Sequence, residues 1–231
     1  METLREALRW VHMVGGIAAL ILFWIPALTT KGGPVHRQAG RAYLWAMWTV
    51  VATGIPLAGL FFQRGQWFFA AFLGYLAVIT GAALWSGIEV FKHKRSAAGF
   101  RTPQHAALGW LNAAAAVAIL AMGWFGPVPD EVRLLFIAFS AIGFSGAWST
   151  WRFFRSPPTD PRYWWYFHLG NLIGTGIAAH TAFAAFGARH LFPELDLGSW
   201  GLVPWLAPTV IGLAATAWAN AHYQRRFGAA R

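Results

Sequence analysis

Apolar residues run in seven long stretches, broken by short clusters of glycine, proline and charge. The stretches cover residues 8–28, 42–62, 67–91, 103–125, 134–154, 163–187 and 202–222. A helix needs about 20 mostly apolar residues to cross a bilayer, so each is long enough to span. The connections carry the breakers: Lys31-Gly32-Gly33-Pro34, Arg64-Gly65, and residues 92–101, 127–133, 156–162 and 189–200. None is long enough for a second domain. The pattern predicts one integral membrane domain over residues 1–231, an all-α bundle of seven transmembrane helices. Pro56 falls inside the second span and predicts a kink there. The N-terminal residues read as an amphipathic lead-in, since no basic excess and no small-residue cleavage site mark a signal peptide.

Composition agrees: 57% of the 231 residues are hydrophobic and 11% charged, where a soluble domain carries about a quarter charged. The absence of cysteine excludes disulfides, iron–sulfur ligation and c-type haem attachment. The net charge of +10 does not call for a nucleic-acid partner, because its distribution has a membrane explanation. Lys31, Arg37, Arg41, Lys92, Lys94, Arg95, Arg101, Arg152, Arg155, Arg162, Arg225, Arg226 and Arg231 flank one side of the spans. Only Arg5, Arg9, Arg64, Arg133 and Arg189 flank the other. By the positive-inside rule the N-terminus is outside and the C-terminus inside (N-out/C-in). The lipid bilayer is the first partner this implies.

Histidine is costly inside a bilayer, so an intramembrane histidine is a functional-site hypothesis. His12, His105, His168 and His180 lie inside predicted spans. At 1.5 Å per residue, His12 and His180 fall roughly 6 and 10 Å below the outer edge. His168 falls roughly 8 Å above the inner edge, and His105 opens span four on that side. Depth therefore groups His12 with His180 and His105 with His168. His168 shares a helix face with Asn171 and Thr175, which can orient an imidazole. Gly170 and Gly174 form a GxxxG on the other side, so span six reads as the central helix. His168 and His180 are about 120° apart around that helix, so two metal centres would lie on different sides of it.

Two further groups carry chemistry. Glu89 is the one carboxylate inside a span, with Tyr75 on its face. It reads either as a cation or proton site or as a helical pair with Lys92 or His93. The basic, glycine-rich segment from Lys31 through His36 and Arg37 to Arg41 reads either as an anion or headgroup cradle or as an ordinary inner loop. Hydrolase signatures such as HExxH and GxSxG are absent.

Several motifs together resemble one family. They are Lys31-Gly32-Gly33 with His36-Arg37-x-x-Gly40-Arg41-x-Tyr43, then Gly74-Tyr75-Leu76 through Thr80-Gly81. Trp165-x-x-His168, Ile177-Ala178-Ala179-His180-Thr181-Ala182-Phe183 and Trp205-Leu206-Ala207-Pro208-Thr209-Val210-Ile211-Gly212 follow in order. The chain is similar over most of its length to predicted bacterial multi-pass membrane proteins of the domain of unknown function 2306 type. The resemblance implies a multi-pass fold in the bacterial cytoplasmic (inner) membrane and no established reaction. That family often lacks a histidine at the place of His180.

Two functions fit the residues. The first is a redox protein holding haem b between His105 and His168 as iron ligands, with His12 and His180 at a second centre. Arg101, Arg162 and Lys92 would meet propionates, and a quinone or other redox partner would exchange electrons. The second is a transporter or a small-molecule- or lipid-binding membrane protein. There His168, Asn171, Thr175, Glu89 and Tyr75 would line a polar cavity. An accessory role without chemistry of its own is the third option.

Overall fold

The structure, a computed structural model, describes residues 2–187 and 201–228. Among these its regular structure is all helix, with no strand: α1 (Glu2–Leu28), α2 (Pro34–Gln63), α3 (Trp67–Glu89), α4 (Pro103–Phe125), α5 (Asp130–Arg155), α6 (Tyr163–Ala182) and α7 (Val203–Gly228). Two 3-10 turns, Val90–His93 and Ala98–Phe100, join α3 to α4, and α6 continues as a π-helical turn, Phe183–Gly187. Helices α1 to α6 are long and apolar enough to cross a membrane. At 26 residues α7 is also long enough. Its apolar run is diluted by Pro208, Thr209, Thr216, Asn220 and His222, and it falls short of the same standard. Arg189 and His190, expected in an outer loop, lie outside the described residues.

Local signals explain the helix starts. Pro103 occupies the first turn of α4, and the Thr102 hydroxyl accepts the His105 N–H at 3.2 Å, a side-chain N-cap. The start of α2 corrects the sequence expectation. It begins at Pro34, not near residue 42, because proline presets helical φ and needs no N–H partner in the first turn. Gly32, at φ +77°, makes the turn before it. His36, Arg37 and Arg41 are therefore helical and do not form a loop. The predicted lead-in is likewise the first part of α1.

Helix α3 sits at the centre of the bundle. The α1–α2 hairpin packs on one side, the α4–α5 hairpin on another, and α6 on a third, with α7 against α6. This corrects the expectation that span six is central. No charge interrupts α3 before Glu89, so it can be enclosed on all sides. On α6, by contrast, nothing lies within 4 Å of where a Cβ on Gly170 or Gly174 would stand. The GxxxG is not a packing seam.

Three buried clusters hold the layers together, one of them formed by Val90, Ala97, Phe100, Phe153 and Tyr163 at the basic end. Phe72 and Tyr75 of α3 pack with Ala116, Ile119, Phe136 and Phe139 of α4 and α5. Leu84 of α3 packs with Ala19, Tyr43, Met47 and Val51 of α1 and α2. Lipid tails are as apolar as these side chains, so close fit is what favours association. Small residues supply that fit between α4 and α5. A Cβ on Gly109 would lie 2.6 Å from Thr150 Cγ2, and one on Gly143 would lie 2.9 Å from Ala116 Cβ.

Candidate functional site

Each intramembrane histidine has a defined partner. His168 Nδ1 lies 2.8 Å from the Gly87 carbonyl oxygen, and His105 Nδ1 lies 3.1 Å from that of Phe100. His180 Nδ1 lies 2.7 Å from the Gly176 carbonyl. A carbonyl only accepts, so in all three Nδ1 carries the proton and Nε2 keeps a lone pair. His12 Nδ1 meets the Thr53 hydroxyl at 2.9 Å. That hydroxyl donates to the Thr49 carbonyl at 2.6 Å, so His12 Nδ1 is the donor between them.

The Nε2 atoms differ. That of His180 accepts the Trp24 indole N–H at 3.2 Å, and that of His105 stands 3.5 Å from the Thr150 hydroxyl. Those of His12 and His168 have no hydrogen-bond partner among the described residues.

The structure does not bring the two depth-matched pairs together. His180 lies against Trp24, twelve residues along α1 from His12, which is about 18 Å of helix. The expectation fails because α1 and α6 are staggered, so equal depth counted from the helix ends is not equal height in the bundle. On the inner side Phe167, not His168, meets His105, with ring centroids 6.0 Å apart. His168 is one residue further, about 100° round the helix, and turns to α3. His105 is 1% exposed, enclosed although it lies in the first turn of α4. Its ring stacks on Phe100 at 4.2 Å and is flanked by Phe153, Phe154 and Trp85. A macrocycle has no room against that ring, so the residues do not fit a haem shared by His105 and His168, nor one shared by His12 and His180. Among the described residues, no three His, Asp or Glu side chains gather as a metal site.

Two of the three expected propionate contacts are engaged elsewhere. Arg162 donates to the Phe227 carbonyl at 3.0 Å and lies over the Phe227 ring, tying α6 to α7. Lys92 pairs with Glu89 at 2.8 Å, the i,i+3 pairing the sequence allowed. Arg101 is exposed.

Three groups of the polar face are engaged in hydrogen bonds within the bundle. Asn171 donates to the Phe167 carbonyl at 2.8 Å. Thr175, fully buried, shares a 2.8 Å hydrogen bond with Tyr43 and so joins α6 to α2. The Tyr75 hydroxyl is bound to α5. The glycine-rich segment is likewise turned inward. Lys31 Nζ lies 2.8 Å from the Pro26 carbonyl and 2.5 Å from that of Ala27, and His36 Nδ1 lies 3.1 Å from the Pro26 carbonyl. They satisfy carbonyls that end α1, where a cation also opposes the helix dipole. Burial lowers the Lys31 ammonium below the ordinary lysine pKa. Arg37 and Arg41 stay exposed.

What the sequence reading missed lies just past α3. A surface cleft of about 410 Å³ is lined by Phe91, Lys92, His93, Lys94, Arg95 and Gly99, among others. It adjoins His168, whose ring is 4.5 Å from that of Phe91. Lys94 Nζ stands over Phe91 and Trp164, 4.6 and 4.4 Å from the ring centroids. In the sequence the run Lys92-His93-Lys94-Arg95 reads as an ordinary basic inner loop. Its signal is that four consecutive residues, all capable of positive charge, share one carboxylate neighbour, Glu89.

These features define a helical, multi-pass membrane protein with histidines at helix contacts, of which His105 is buried and His12, His168 and His180 are half-buried. Compared with protein-family models, curated proteins and solved structures, the chain matches none.

Proposed function

We propose that this is a seven-span protein of the bacterial cytoplasmic membrane, N-out and C-in, of the family its motifs resemble, and that it binds a small molecule or lipid at the basic end of the bundle. The observation carrying the binding reading is the cleft beside Phe91. It is a concave site walled by His93 and by Phe91, whose ring packs on that of His168. Concave sites with a few convergent polar groups are the usual ligand sites of proteins. The sidedness rests on the basic flanks of the spans. A seventh span rests on the length of α7 and on its final basic pair, Arg225 and Arg226.

The test is thermal unfolding of the detergent-purified protein against a chemically varied panel of amphiphiles and small metabolites. A ligand that binds only the folded form raises the midpoint with concentration. Stabilisation by some member, lost when the cleft is filled by Gly99→Val, supports the reading. No stabilisation by any class overturns it.

A second reading has one observation in its favour. His168 offers a bare Nε2 with Nδ1–H fixed on a backbone carbonyl, the state in which an imidazole ligates iron. Haem b held by His168 alone, serving a quinone or another redox partner, would give the purified protein a Soret band that His168→Ala removes. A colourless protein that stays empty after haem is added rules this reading out.

A further inference from the structure

The cleft at the end of α3 has more specific chemistry than a general pocket. Among the described residues Lys94 and Arg95 form no ion pair, and Glu89, the neighbouring carboxylate, is taken by Lys92. Lys94 is positioned by aromatic faces, which hold a cation without neutralising its charge. His93 forms the wall, and its buried Nε2 has no hydrogen-bond partner among the described residues, standing 3.8 Å from Glu89 Oε1. Gly99 lines the cleft opposite His93, and a Cβ there would reach van der Waals contact with His93 Nδ1 at 3.4 Å. Ammonium and guanidinium groups only donate, so the complement must accept from several directions and carry negative charge.

We infer that this cleft binds an anionic phosphate ester through Lys94 and Arg95. The inference rests on the binding reading above and names its ligand class. The cleft volume exceeds what one phosphate group fills, which leaves space for the group esterified to it. Phe91 and Trp164 stand at the end of a span, where aromatic rings meet headgroups. Basic pockets at that depth suit lipid phosphates. A soluble phosphate ester presents the same chemistry.

The experiment uses the full chain in a neutral detergent. Thermal midpoints are measured with dioleoyl phosphatidylglycerol, with dioleoyl phosphatidylcholine and with inorganic phosphate, at constant ionic strength. Phosphatidylglycerol raising the midpoint by several degrees over phosphatidylcholine supports the inference. If inorganic phosphate does the same, the source is a soluble phosphate; if it does not, the source is a lipid headgroup. In either case the shift falls by at least half in Lys94→Ala/Arg95→Ala and in Gly99→Val. Equal midpoints in all three additives, or shifts unchanged in the variants, overturn it. Neutral or cationic compounds that stabilise through Gly99 while phosphate esters do not would sink this inference and leave the binding reading standing.

Discussion

The hydroxyl of Tyr75, on α3, is inserted into the backbone ladder of α5 at Gly143. It accepts the Gly143 N–H at 2.9 Å and donates to the Phe139 carbonyl at 2.6 Å. Those two backbone groups are four residues apart and would otherwise bond each other. A side chain in this position ties two helices together while keeping every buried polar group satisfied. Tyr75→Phe should let the α5 ladder close on itself. The expected cost is about 1 kcal/mol, read as a lower unfolding midpoint without loss of helical signal.

Gly143→Ala should cost more. The added methyl would meet the Tyr75 hydroxyl and the Ala116 methyl, each 2.9 Å away. Overpacking of this kind costs roughly 1–3 kcal/mol. The double variant with Tyr75→Phe should recover part of the loss, because one of the two clashes is gone. Chemical denaturation in mixed micelles measures it. A double variant as destabilised as the sum of the singles would show that the two residues do not meet.

Trp24 and His180 should be energetically coupled. Trp24→Phe keeps a ring against His180 but removes the N–H that its Nε2 accepts. Interhelical hydrogen bonds in membranes average about 0.6 kcal/mol and reach about 1.7. A double-mutant cycle with His180→Ala should return a coupling in that range. A zero coupling would mean that the two rings merely pass each other.

Lys31→Met should loosen the turn between α1 and α2. It removes the charged donor from the carbonyls of Pro26 and Ala27. Charge at a helix C-terminus is worth about 0.3–1 kcal/mol. Faster proteolysis within residues 29–33 is the expected readout, while Arg37→Met, which has an exposed side chain, should leave the turn intact.

The topology can be tested directly because the chain contains no cysteine. Single cysteines at Gln66 and at Ser156, both exposed between helices, should label oppositely. A membrane-impermeant maleimide on intact cells should reach Gln66→Cys and should need permeabilised cells to reach Ser156→Cys. The reverse result would invert the N-out/C-in assignment.

The sequence by itself determined what depends on neighbours along the chain. Apolar run length specified the stretches that became α1 to α6, since a bilayer admits only long segments with satisfied backbones. Thr102-Pro103 marked the start of α4, and the spacing of Glu89 and Lys92 placed both on one helix turn. The tertiary structure decided everything lateral. Hydropathy measures position along the membrane normal and is silent about which helices touch, how far they are staggered, and which face each turns inward. His12 and His180 therefore looked like a pair by depth, yet the stagger of α1 against α6 gave His180 to Trp24. The same blindness hid the cleft, because Lys94 becomes a positioned cation only when α6 brings Trp164 to the end of α3.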